Sequence, residues 1–319
     1  MSHEIELLDG KYCIAWSGQK PWHGLGKEVP HDLTPDQMLN AAGLDWKVEK
    51  HPAFIEIDGD QVETGTQALV RDKDNKILTM ISDDWKPLQN SEAFAFFHEF
   101  VMNADMDMET AGSLKGGQIV WALAKIKSET FEVTKGDEVN NYLLFTNPHK
   151  YGHSIDTRIT PIRTVCNNTL SLALSTAVER MVKVNHRTAF DPNVVKETLG
   201  LASNKFKGYK ERAKFLAKKK ASDEDIKKFL TEIFPATGKK LEKEEMSRPA
   251  KIVEGLLDQQ PGHDFAPGTW WNVYNGLTFA TNHVLGNSQD TRLQSLWYGA
   301  NRNRNIDALN KAVEYAEAS

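Results

Sequence analysis

The tightest constraint on this chain lies between residues 118 and 182, where three strand-like runs precede a helix. "QIVWALAKI" is almost continuously apolar, the pattern of a strand buried on both faces. "NYLLFTN" is a second run, and "SIDTRITPIRTV" a third that alternates and is rich in β-branched residues. The polar stretch "PHKYGH" joins the last two as a hairpin loop. Beyond Val165 the period changes. Leu170, Leu174, Ala177, Val178 and Met181 share one helical stripe, with Asn167, Asn168 or Thr169 as cap. The order is β-β-β-α.

Upstream, "WSGQKPWHGLGKEV" reads as an irregular packed loop. "TPDQMLNAAG" carries a full set of helix signals: Thr34 as N-cap, Pro35 in the first turn, Gln37 completing a capping box and Gly43 as the stop. "FIEIDGDQVE" turns at Asp58-Gly59, and "ALVRDKDNKILTMIS" has a polar loop between two alternating runs. "NSEAFAFFHEFVM" predicts a short helix packing Phe94, Phe97, Phe100 and Val101. After Asn185 the period becomes helical: "DPNVVKETLGLA", "KFKGYKERAKFLAKKK", "DEDIKKFLTEIF" capped by Ser222, "TWWNVYNGLTFATNHVLG" capped by Thr269, and a last helix over about 306–316. The expected class is α+β, with β-hairpins and a β-β-β-α core in the N-terminal half and a mostly helical C-terminal half. The expected domains are 1–189 and 190–319, the second basic at 203–251.

Composition narrows the setting. A 319-residue chain with 40% hydrophobic residues can bury one large core or two ordinary ones. "MSHEIELLDGKYCIAWSG" opens with acidic residues and lacks a signal-peptide apolar run, and no stretch has the length of a membrane span. Cys13 and Cys166 are too few for a disulfide framework or a four-cysteine zinc site. A reduced, cytoplasmic protein with no membrane partner is expected.

Net charge of −5 conceals an asymmetry. Residues 1–139 hold 13 Lys/Arg against 25 Asp/Glu, a net of −12, whereas 140–251 hold 22 against 12, a net of +10. A basic middle between acidic ends points to a polyanion partner, and to acidic parts that meet solvent or a neighbouring subunit. Solvated helix faces are the plainer account of the same blocks.

Few catalytic motifs are present. His149 and His153 are four apart, but the intervening Lys150, Tyr151 and Gly152 read as a turn, so no metal is expected. A Walker A loop is missing, and Gly116-Gly117 precedes a strand, so no cofactor is expected either. Cys166 sits near a helix start and Arg163, which would lower a thiol pKa, although burial as a structural cysteine is the commoner fate. No catalytic residue is assigned.

Anion binding has more support. The helix start at Asn167, Asn168 and Thr169 offers unpaired N–H groups, and Arg158 and Arg163 would add charge-assisted contacts. A bulge near Pro161 would bring both arginines to one face. An ordinary helix cap beside surface arginines is the alternative. Lys150, Tyr151, His153, Lys183 and Arg187 lie nearby in sequence, and Lys205, Lys207, Lys210 and Arg212 follow, interleaved with Phe206 and Tyr209. Charge for backbones and rings for bases suit a single strand of DNA or RNA. Phe206, Phe215 and Leu216 equally suit the buried side of a helix.

The strings "KPWHGLGKEV", "AAGLDWKVEKHPAF", "ISDDWKPLQNSEAFAFFHEF", "TPIRTVCNNTLSLAL" and "TWWNVYNGLTFATNH" together resemble the phage/plasmid-like protein family, known mainly as a domain of unknown function, family 932. The likeness runs from about Trp22 to Ala308, with Arg163–Leu170 as its most specific element. It implies a phage, prophage or plasmid origin and a bacterial cytoplasm, and it carries no catalytic residues. The β-β-β-α order is also similar to the core of phage single-strand annealing proteins of the Redβ, RecT and Erf groups, at the level of fold alone. The leading expectation is a non-catalytic single-stranded DNA-binding and annealing protein that assembles with itself into a ring or filament. The alternatives are an interaction protein that modulates host machinery or defence, and a nucleic-acid-processing enzyme using Cys166 or a histidine.

Overall fold

The computed structural model describes residues 5–18, 24–163, 182–237, 246–286, 295 and 299–318, leaving aside the side chains of 128–129, 162–163 and 198–207. The helix expected after Val165, with Cys166, Asn167, Asn168 and Thr169, lies outside the described residues. Sheets and helices are both present, and the class is α+β.

The first strands are β1 (Leu7–Leu8), β2 (Lys11–Tyr12), β3 (Ile14–Trp16), β4 (Lys27–Glu28), β5 (Val48–Ile57), β6 (Asp60–Arg71), β7 (Lys76–Ile81) and β8 (Met106–Leu114); the expected alternating runs make β5, β6 and β7, whereas β4 lies in the stretch expected as an irregular loop. The core runs form β9 (Ile119–Glu132), β10 (Glu138–Pro148) and β11 (Ile155–Arg163), and β12 (Val182–Val184) follows. Seven of them make one sheet in the order β12-β11-β10-β9-β8-β3-β4, and β5-β6-β7 make a second. The unbroken apolar run of β9 is buried along both faces from Ile119 to Ala124, and Asn141 to Asn147 of β10 are buried likewise.

Local signals explain the helices. Pro35–Ala41 begins at a capping box, with the Gln37 amide nitrogen donating to Thr34 Oγ1 at 3.3 Å and the Thr34 nitrogen donating to Gln37 Oε1 at 2.9 Å. Ser222 caps Asp223–Ile233 and Thr269 caps Trp270–Phe279, each accepting from the third residue onward. Trp270–Phe279 runs on into a π-helical turn, Ala280–Val284. Three expectations change in detail. "NSEAFAFFHEFVM" makes two short helices, Asn90–Ala95 and His98–Met102. The two helices expected after Asp191 are one, Pro192–Lys218, because neither Gly200 nor Gly208 is followed by a proline or cap that would end it. The last helix spans Ala300–Ala318.

The chain forms two compact units, each drawn from several stretches. The first takes 1–128, 142–159 and 180–200; the second takes 129–141, 160–179 and 201–319. In the first, Trp46, Leu69, Phe94, Phe97, Met108 and Phe145 form the core. In the second, Phe131 and Val139 from the β9–β10 hairpin join Tyr209, Phe229, Trp270, Trp271 and Leu309. No helix among the described residues is long and apolar enough to cross a membrane.

Candidate nucleic-acid interface

Strands β8 to β11 are sequential neighbours, so the loops between them alternate between the two ends of the sheet. The β8–β9 loop (115–118) and the β10–β11 loop (149–154) therefore share one end. One backbone bond joins them, His149 N donating to the Gln118 carbonyl at 2.8 Å, and the Gln118 side chain donates from Nε2 to the Leu78 carbonyl of β7 at 2.6 Å. Tyr151 N donates to Thr79 Oγ1 at 3.3 Å, which ties the same loop to β7.

That end gathers positive charge around one exposed ring. Tyr151 is 49% exposed, with half-buried Lys150 and His153 on either side. His153 donates from Nδ1 to the Tyr151 carbonyl at 3.4 Å. Burial lowers the His153 pKa, and Lys150 and Lys115 lower it further, while the carbonyl bond acts the other way. Lys115 and Gly116 both have left-handed backbone, at φ 54° and 64°. A side chain at Gly116 would strike the Lys76 ammonium, so glycine there lets a fourth basic group close in. Lys76 and Lys115 were absent from the sequence-level site. The alternation of hairpin loops between sheet ends could have pointed to Lys115, whereas Lys76 comes from β7 of the other sheet and had no such signal.

Beneath this surface the loops are anchored by buried polar groups. His149 is fully buried, and its Nε2 donates to Asn90 Oδ1 at 2.9 Å. Burial, reinforced by His186 and Arg71, pushes its pKa down to about 3, so it is neutral. His186 stacks on Trp85 at 4.0 Å and exchanges backbone contact with Lys86. His149 thus anchors the loop, while His153 lies nearer solvent. Among the described residues, no three His, Cys, Asp or Glu side chains are grouped to hold a metal.

The other expected residues divide. Arg158 is 2% exposed and held bidentately by the equally buried Asp156, Nε to Oδ1 at 2.9 Å and Nη2 to Oδ2 at 2.6 Å. Its guanidinium therefore faces a carboxylate inside the fold. Arg163 closes β11, and its side chain lies outside the described residues. Lys183 is exposed on β12 opposite Asp156, and Arg187 is exposed with Nε 3.1 Å from Asp84. In the second unit, Lys205 and Lys207 belong to the long helix with their side chains outside the described residues. Lys210 places its ammonium 5.5 Å from the Phe131 ring centre, and Arg212 donates to Asn310 at 3.2 Å. Tyr209 is a core residue, edge-on to Phe131 and Trp271, so its ring offers no stacking surface. Helical spacing explains this, since Tyr209, Ala213 and Leu216 share the buried stripe.

The only buried cysteine among the described residues, Cys13, has its thiol pKa raised to about 11 by burial and by Glu6, with Arg71 and Lys73 opposing. It is a packing residue rather than a nucleophile. A separate groove of about 490 Å³ in the first unit is lined by Leu88, Phe96, Ile155 and Phe190 with Lys86 and Lys196.

No curated protein and no solved structure matches this chain. The sequence model of a family described as a domain of unknown function (DUF932) matches residues 77–309, which takes in β7 to β12 and most of the helical C-terminal half. With well over half its length covered, the chain belongs to the DUF932 family.

Proposed function

We propose that this protein binds single-stranded nucleic acid, DNA foremost, and acts without catalysis as a self-associating annealing protein in a bacterial cytoplasm. The observation that carries the reading is Tyr151, an exposed ring set among Lys76, Lys115, Lys150 and His153 where two hairpin loops meet. A strand's phosphates want mobile positive charge, and its bases stack on any accessible aromatic face. Lys183 and Arg187 extend basic character along the neighbouring edge strand and loop. The resemblance to phage and plasmid proteins supplies the setting, and the +10 balance of residues 140–251 supplies long-range attraction.

The test is fluorescence anisotropy with a labelled, unstructured oligonucleotide. Affinity should fall by orders of magnitude between roughly 50 and 200 mM salt if about six phosphates are neutralised. Tyr151→Ala should weaken binding about 5- to 160-fold, as expected for one lost stacking contact of ~1–3 kcal/mol. Lys150→Ala should flatten the salt slope by about one charge. Binding that ignores both salt and Tyr151 would sink this reading.

A further inference from the structure

The β5–β6 hairpin extends past its own sheet. Pairing with β7 ends at Gln67↔Ile81, yet β5 and β6 continue together through Phe54↔Glu63, Ile55↔Val62, Glu56↔Gln61 and Ile57↔Asp60. Residues 52–66 therefore form a two-stranded arm, which Asp58 and Gly59 close with left-handed backbone at φ 53° and 93°. Two strands alone bury little, so such an arm is marginal unless something covers it.

Its surface is that of a contact element. Strand alternation sets Ile55, Ile57 and Val62 on one face, 51%, 49% and 42% exposed, and Phe54 on the other at 53%. Every charge on the arm is negative: Glu56, Asp58, Asp60 and Glu63. None of the four makes an ion pair among the described residues. Two arms meeting would oppose their carboxylates, so the complement must be basic and partly apolar. Such a surface exists on the helix Pro192–Lys218. Lys214 and Lys218 are one turn apart, have no carboxylate partner among the described residues, and flank half-buried Phe215 and Ala217.

We propose that the arm of one molecule docks on the Lys214–Lys218 face of a second copy of this chain. Arm and helix face are different surfaces, so the contact is heterologous and propagates into a ring or a filament. This rests on the self-association in the reading above and gives it a physical device.

Charge exchange tests it. Glu56→Lys, Asp60→Lys and Glu63→Lys in one chain leave only Asp58 negative and make arm and helix both positive. Lys214→Glu with Lys218→Glu in another makes both negative. By analytical ultracentrifugation each variant alone should be monomeric, and an equimolar mixture should recover the wild-type assembly, because only unlike chains can then alternate. Recovery on mixing also proves that both variants fold. A Lys214→Glu/Lys218→Glu chain that assembles like wild type would overturn the docking and point to arm-on-arm pairing. A mixture that stays monomeric, although both chains keep wild-type circular dichroism, would overturn it too. Wild-type protein that binds oligonucleotide yet remains monomeric would sink the docking and leave the nucleic-acid reading standing.

Discussion

Arg71 is fully buried on β6, and three carboxylate oxygens hold its charge: Glu6 Oε1 at 2.6 Å and both oxygens of Asp74 at 2.8 and 2.6 Å. Burial opposes that charge, but the bonds from Asp74 and Glu6 outweigh it and keep the guanidinium ionised. Glu6 is itself buried and accepts from Ser113 Oγ at 2.7 Å. Arg71→Ala should therefore cost about 3–5 kcal/mol, read as a lower urea midpoint, because Glu6 loses its buried counter-charge. His149 predicts the pH response. Its folded pKa, about 3, lies below the ordinary value of 6.5, so the unfolded chain binds the proton first as pH falls. Stability should be full above pH 6.5 and decline toward pH 3, by about 1.4 kcal/mol per pH unit from this group once well below 6.5. His149→Asn should flatten that slope in urea titrations run between those limits. Arg158 marks where sequence reading went astray at this scale. Residues two apart on a strand share a face, so Asp156 stood ready to neutralise it, and the "DTR" spacing made that legible. The Glu6–Arg71 pair, 65 residues apart, had no such local sign.

Helix starts were the most legible elements because a cap is chemistry confined to four residues. Thr34, Ser222 and Thr269 all cap as their sequence context predicts. Ser222→Ala removes the Oγ that accepts from Asp225 N at 3.2 Å. A loss of about 1 kcal/mol should follow, seen as a lower melting temperature with unchanged helical content. Helix ends were harder to read. The Pro192–Lys218 helix runs through Gly200 and Gly208, since each glycine costs only about 1 kcal/mol and packing at its C-terminal end repays that through Ala213 and Leu216. Strand β12, of three residues, exists only through its pairing with β11, as Ile155↔Val184 and Thr157↔Val182. So short a strand has no periodicity to detect. The candidate site was half legible for the same reason. Tyr151 and Lys150 stand out in their loop, but Lys115 joins them only through the order of strands and Lys76 only from β7 of the other sheet.

For the whole molecule, the proposed docking makes opposed charge blocks the determinant of how copies would meet. Near the pI of about 6.1 net repulsion between copies vanishes. Light scattering should therefore peak near pH 6, and raising salt from about 0.05 to 0.5 M should suppress it as the screening length shortens. The interleaving of the two units has a separate consequence, for synthesis on the ribosome. The hairpin segment 129–141 emerges early, yet Phe131 and Val139 belong to a core whose other members come from 209 onward. At roughly 5–20 residues per second, the nascent chain carries those side chains without any of these partners for roughly four to fifteen seconds. The first unit, meanwhile, cannot close until residues 180–200 are made. Release of the chain between about residues 200 and 209 would thus leave a completed first unit bearing a bare apolar hairpin, a natural target for chaperone capture.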